Sequence, residues 1–205
     1  MRSRLFSSTL AVALAVALSA TLVAQDRGGG GGGRGGGRGG GFGLVPMFLE
    51  TDAYADGGII PDKYAGVGGS TIPGFKITGA PMTAVSYAVI FHDIEPTIGN
   101  PPNDVLHALF WNVPASSNGW SEGPPDGSKM PAGTVMGINM TKKPVYMGPG
   151  APAGPRYHHY IFEVYALSSN LEIPPDSTRE AFFAALAGKV VAKAAYVGRF
   201  RGQPK

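Results

Sequence analysis

"SYAVIFHDIE", residues 86–95, is the stretch on which the fold turns. In an extended chain, successive side chains point to opposite faces. This puts Tyr87, Val89 and Phe91 on one side and Ala88, Ile90 and Ile94 on the other. Apolar residues on both faces mark a strand covered twice, at the centre of a sheet. The same alternation sorts the polar residues at its end. Asp93 and Glu95 share the face of Val89 and Phe91, while His92 points the opposite way.

Three more stretches carry the same density of aromatic and β-branched residues: "HALFWNVP" (107–114), "HHYIFEVYAL" (158–167) and "VAKAAYVGRF" (191–200). Gly and Pro punctuate the chain between them, and long 3.6-residue periodicity is nearly absent from Leu44 to Pro204. A mainly β domain is expected. The exception is "PPDSTREAFFAALAGK" (174–189), which predicts a helix over about 178–187, with a capping box at Ser177 and Glu180 and a stop at Gly188.

Alternation places His107 with Leu109, Trp111 and Val113, and His158 with Tyr160, Phe162 and Val164. His159 falls on the other face, with Glu163 and Tyr165, so the adjacent histidines diverge and do not form a clamp for one ion. His107, His158, Asp93 and Glu95 all stand at strand ends beside aromatic surface. Buried polar groups need partners, and four of them converging would leave a polar hollow in an apolar wall, which is by default a ligand pocket. The loop "MGPGAPAGP" (147–155) is almost stripped of side chains and would let a small polar group reach backbone N–H donors.

The chain of 205 residues opens with Arg2, Arg4 and the apolar run "LAVALAVALSATLVA" (10–24), which reads as an export signal cut near Ala24–Gln25. The run is short and Ala-rich for a span of about 20 residues, so no stable membrane span is expected, and the location is periplasmic or secreted. Residues 25–43 form a Gly/Arg-rich flexible tether, and residues 44–205 the domain. From Phe42 onward, 12 Lys/Arg stand against 13 Asp/Glu, so the basic balance belongs to the leader and tether, and no nucleic-acid partner is expected. The absence of cysteine excludes disulfides, thiol nucleophiles, Cys-ligated metal and a lipoprotein-type anchor. No HxH, HExxH or GxSxG pattern occurs, so no metal, no cofactor and no catalytic residues are expected.

The order of motifs resembles the phosphatidylethanolamine-binding protein family, in its bacterial Raf kinase inhibitor-like branch. "YADGGIIPDKY" (54–64) is similar to the branch's early Asp-Gly-Gly…Ile-Pro…Lys-Tyr segment, and "VIFHDIEP" (89–96) takes the place of the Asp-Pro-Asp-x-Pro signature. "HALFWNVP" stands where the family has His-Trp…Asn-Ile-Pro, and "GPGAPAGPRYHHYIFEVYAL" (148–167) where it has Gly-Pro…Pro-x-Gly…His-Arg-Tyr. The resemblance covers about 48–201. It implies a β-sandwich with a few short helices, one near the C-terminus, and a pocket for phosphate or phosphoryl-headgroup analogues such as phosphoethanolamine. Carried over by motif, the ligand-binding residues are Asp93, Glu95, His107, Gly148, Pro149, His158 and Tyr160. A protein partner, of the kinase or protease type that family members inhibit, is the alternative role, and a metal-dependent enzyme, in which the two His and two carboxylates bind a divalent ion, is a third and lesser one. This chain departs from the pattern at Ile94, Glu95, Ala108 and His159, and "TIGNPPNDVL" (97–106) is longer than the bacterial form.

Overall fold

The strand expected over 86–95 forms, and the other extended elements are arranged around it. The computed structural model describes residues 47–99 and 102–204; the expected leader and the tether lie outside the described residues. Among the described residues there are nine strands: β1 (Phe48–Glu50), β2 (Gly58–Ile59), β3 (Phe75–Thr78), β4 (Ser86–Ile98), β5 (Asn103–Pro114), β6 (Gly119–Trp120), β7 (Val135–Gly137), β8 (His158–Leu167) and β9 (Val190–Phe200). The single α-helix among the described residues, α1 (Arg179–Leu186), lies between β8 and β9, and short 3-10 turns cover Asp62–Tyr64, Gly66–Gly68 and Ala115–Ser117.

The strands make a six-stranded sheet of order β2-β9-β8-β4-β5-β7 and a three-stranded sheet of order β1-β3-β6. β4 sits inside the larger sheet, antiparallel to both β8 and β5. Its two faces serve two cores. Tyr87, Val89 and Phe91 pack with Phe162 and Val164 against Leu49, Phe75, Ile77 and Trp120 of the smaller sheet. Ala88 and Ile90 join Leu109, Trp111, Phe182 and Leu186 under α1. The result is a sandwich with a helix on its outer face. Stacked aromatics hold its middle: the Phe91 and Phe162 rings lie 4.1 Å apart, and Phe75 crosses from the smaller sheet to within 5.0 Å of Phe162. Burying one such side chain stabilises by roughly 1.5–3 kcal/mol.

Two expectations are corrected. Ile94 does not join the face of Ala88 and Ile90; it is 47% exposed. Pairing of β4 with β8 ends at Asp93↔Tyr160, and pairing with β5 jumps from Asp93↔Val105 to Ile98↔Asn103, so the chain beyond Asp93 projects as an arm that no layer covers. The helix cap is also displaced by one residue. Thr178, not Ser177, is the N-cap, its hydroxyl accepting from the Ala181 amide, while Gly188 with φ +71° ends the helix as expected.

Candidate functional site

β4, β5 and β8 end at the same side of the sheet, and their last inward side chains meet there. The β4–β8 register sets Asp93 directly opposite Tyr160, which leaves His158 diagonal to Asp93 on the same face. His158 therefore keeps the company expected of it.

His107 reaches the same place by a different route. Simple alternation puts it with Leu109 and Trp111, but those two belong to the core under α1, whereas the His107 ring packs edge-on to Phe91 at 5.6 Å and to Tyr160 at 5.2 Å. The cause is a β-bulge: Phe91 pairs with Ala108 and His92 with Leu106, so His107 is an extra residue. A bulge re-aims the side chain that it carries. A second irregularity, with Asn112 at φ +57°, returns Val113 to the inner face and explains why Val113 parts from Trp111.

The hydrogen bonds orient these groups. Asp93 is 3% exposed; its Oδ2 lies 2.8 Å from His158 Nδ1, and its Oδ1 accepts from the Glu95 amide. His107 Nδ1 lies 2.7 Å from the Met147 carbonyl oxygen, an acceptor only, so Nδ1 carries the ring proton and Nε2 has no hydrogen-bond partner among the described residues. Burial pushes the His107 pKa below the usual histidine value, against the pull of the Met147 carbonyl and of Asp93. The Tyr160 hydroxyl oxygen accepts from the amides of Gly150 and Ala151. Burial and the nearby Asp93 charge hold that hydroxyl well above the usual tyrosine range, so it stays protonated.

Glu95 behaves differently from Asp93. Its carboxylate is clamped on His159, with Oε2 accepting from the amide at 2.5 Å and Oε1 2.6 Å from Nδ1. Burial raises its pKa, but the bonds from His159 outweigh that and leave it lowered. His159 faces away from His158, as alternation requires, and the two neighbouring histidines take separate carboxylates.

A cavity of about 410 Å³ opens on Asp93, His107, Gly148, His158 and Tyr160. Glu95 and Pro149 do not line it. Glu95 lines an adjoining hollow of about 310 Å³ with Pro96, Arg156 and His158, and Pro149 is buried with its carbonyl accepting from the Gly66 amide. The loop's glycines serve the fold more than a guest. A Cβ on Gly148 would come within 2.5 Å of the Tyr64 carbonyl oxygen, and the Gly148 amide already donates to Ser70 Oγ. The amides at 148, 150 and 151 are thus all engaged, contrary to the expectation of free donors.

Sequence reasoning missed the apolar walls, Val105, Met140 and Met147, and the Ser70 prop. Met147 precedes the Gly-Pro motif, so it was within reach; Ser70 and Met140 lie outside the strands and helix, where no periodic signal exists. Asp93, Glu95 and His158 each offer a ligand atom within 4.8 Å of the others, a grouping that no spacing motif announces because it spans two strands. A larger hollow, about 570 Å³, lies elsewhere, beside Tyr64, Phe75 and Trp120, and holds none of the residues expected to bind a ligand.

On the far side of the sheet His92 meets Asp104 at 2.5 Å, and Asp104 is gripped by Arg179 at the start of α1. Burial would raise the Asp104 pKa, but the bonds from Arg179 and His92 hold it below the usual value.

Comparison with known proteins gives one consistent result. The family model described as phosphatidylethanolamine-binding protein matches residues 50–201. A UPF0098 protein of Methanothermobacter thermautotrophicus is 34% identical over 155 residues, covering 76% of this chain and 99% of the relative. LppC of Mycobacterium tuberculosis, named as a candidate lipoprotein, is 27% identical over 157 residues, covering 77% of this chain and 73% of its own. The crystal structure of Escherichia coli YbcL superposes with a TM-score of 0.70 at 23% identity, covering 77% of this chain and 99% of that one.

Proposed function

The chain belongs to the phosphatidylethanolamine-binding protein family, and from that premise we propose that it is an exported, non-catalytic binding domain whose cavity holds a small anionic group of the phosphate or phosphoryl-headgroup kind. The observation that carries this reading is the pair of imidazoles, His107 and His158, brought from separate strands to one cavity, each with Nδ1 already bonded and Nε2 left for a guest. An imidazole held by Nδ1 becomes an Nε2–H donor once protonated, and a charge-assisted bond to an anion is roughly twice as strong as a neutral one. The Met and Val walls exclude water and suit an apolar substituent on the ligand. Asp93 orients His158, while Glu95, Gly148 and Pro149 shape the rim and the loop rather than touch the anion. Export rests on the N-terminal leader and on the candidate-lipoprotein relative; no helix among the described residues is long and apolar enough to cross a membrane.

The test is a titration with sulfate, whose charge is constant from pH 5 to 8, so that any pH dependence belongs to the protein. Burial holds His107 deprotonated to lower pH than a free histidine, and above its pKa the anion must bring a proton with it. The affinity that His107 contributes therefore falls as pH rises, by up to about tenfold for each pH unit, with the fall beginning below about 6.5. Equal affinities at pH 5.5 and 8 would remove the imidazoles from the role.

A further inference from the structure

We propose that the adjoining hollow of about 310 Å³ is a second subsite for the same guest, with Arg156 taking a carboxylate and Glu95 an ammonium. The ligand class is then a phosphate ester of an amino acid, of the phosphoserine kind. This rests on the anion reading above and deepens it from one charged group to three.

Adjacency is the first reason. His158 and Pro96 line both hollows, so the two are contiguous at that wall. The remaining walls of the second hollow are Glu95 and Arg156, side chains of opposite charge. His158 has Nδ1 engaged by Asp93 and gives Nε2 to the anion cavity, so it asks nothing of the second hollow. A guest that fills both meets an imidazole pair first, then a carboxylate beside a guanidinium.

Availability is the second reason. Three arginines gather where β8 begins and β9 ends, and two of them are tied down. Arg199 Nε donates to the Gly57 carbonyl and Arg201 Nη1 to that of Gly154, and both guanidiniums lie over the Tyr157 ring, 5.7 and 4.6 Å from its centre. Arg156 makes no hydrogen bond or ion pair among the described residues, and of the three it is the one that lines the hollow. Glu95 is likewise equipped. Its two oxygens each take one bond from His159, which leaves about two of a carboxylate's roughly four acceptor positions open. Together these groups discriminate. An ester carrying an ammonium alone would satisfy Glu95 and set a second cation beside Arg156; a carboxylate on the same carbon removes that repulsion. The planar guanidinium fork also matches a carboxylate through two parallel bonds, which a lone ammonium acceptor site does not require.

The experiment titrates the full chain by calorimetry, at pH 5.5 and low salt, with O-phosphoserine and O-phosphoethanolamine, which differ by a single carboxylate. O-phosphoserine should bind about fivefold more tightly, the upper end for an ion pair as open to solvent as this one. The preference should disappear in Arg156→Gln. It should survive in Arg201→Gln, which removes the same charge from the same corner but not from the hollow. Both variants are first checked for the wild-type melting transition, and Arg156, exposed and unbonded, is safe to replace. The same comparison with glycerophosphoserine and glycerophosphoethanolamine identifies the source. A preference confined to these diesters supports the proposal with a lipid headgroup as guest, and one confined to the monoesters supports it with a free phosphorylated amino acid. Equal affinities within both pairs, or a preference that persists in Arg156→Gln, would overturn it. So would an equal loss in Arg201→Gln, which would reveal general attraction of negative charge. Sulfate separates the two ideas: if it binds while neither pair shows a preference, the anion pocket stands and the Arg156 subsite falls, and if sulfate and all four esters fail to bind, both fall.

Discussion

Tyr160 shows most clearly how single atoms hold the site. Its ring is buried against Phe91 and His107, and its hydroxyl oxygen is the acceptor for two loop amides, Gly150 and Ala151. Tyr160→Phe removes only that oxygen's service. An amide left buried without a partner costs about 1–3 kcal/mol, so the unfolding free energy from urea titration should fall by that amount, seen as a lower midpoint at an unchanged slope. If the midpoint does not move, water has replaced the hydroxyl and the loop does not depend on it. At this scale the sequence was legible where the strand was regular. Asp93 and His158 follow from counting residues, since β4 and β8 pair without interruption from Ser86↔Leu167 to Asp93↔Tyr160. His107 was not legible by counting, because a bulge changes the parity of the strand and nothing in "LHAL" signals an extra residue. It was singled out by its place at a strand end beside aromatic surface and again through the resemblance, and the bulge supplies the physical reason why it points inward. The Glu95 clamp on His159 was also out of reach, since it depends on side-chain reach beyond the last paired residue.

At the scale of elements, the helix offers a sharp comparison. Ser177 and Thr178 are both good capping residues, and only the backbone decides which one stands outside the first turn. Thr178 has the extended conformation, φ −71° and ψ 163°, and its side chain receives the Ala181 amide. Thr178→Ala should therefore destabilise the protein by about 0.5–2 kcal/mol, whereas Ser177→Ala should change it by less than about 0.5 kcal/mol. Thermal melts of the two variants distinguish them, and the reverse order would restore the cap inferred from the sequence. The strand limits were predicted more successfully than the cap. β8 begins and ends where "HHYIFEVYAL" does, because Pro155 and the Gly-rich loop precede it and a polar turn follows. β4 and β5 ran longer than expected, as their hairpin arm continues past the sheet edge where no hydrophobic pattern marks it.

The molecule as a whole depends on one short sheet lying over one long one. The four inner strands of the long sheet, β9, β8, β4 and β5, were readable because they are long and rich in apolar residues, whereas its edge strands β2 and β7 are too short to show a pattern. The short sheet was not. β1, β3 and β6 have three, four and two residues, too few to show a period against the surrounding Gly and Pro. Yet the short sheet covers the face that leads to the cavity, and Phe75 is its main contact. Its ring lies 5.0 Å from Phe162 on β8, 5.2 Å from Tyr196 on β9 and 5.4 Å from Trp120 on β6, so one side chain ties two strands of the larger sheet to its own. Phe75→Ala should cost about 3–5 kcal/mol, the transfer loss plus the cavity left behind. Phe183, on the outer side of α1 and 38% exposed, is the matched control, and its replacement by Ala should cost no more than about 1 kcal/mol. Chemical denaturation of both variants measures the difference directly. A small loss in Phe75→Ala would mean that the layers are held elsewhere. A large loss accompanied by weakened sulfate binding would tie the pocket's shape to the packing of the short sheet, because Phe162 transmits that packing to Phe91, against which His107 rests.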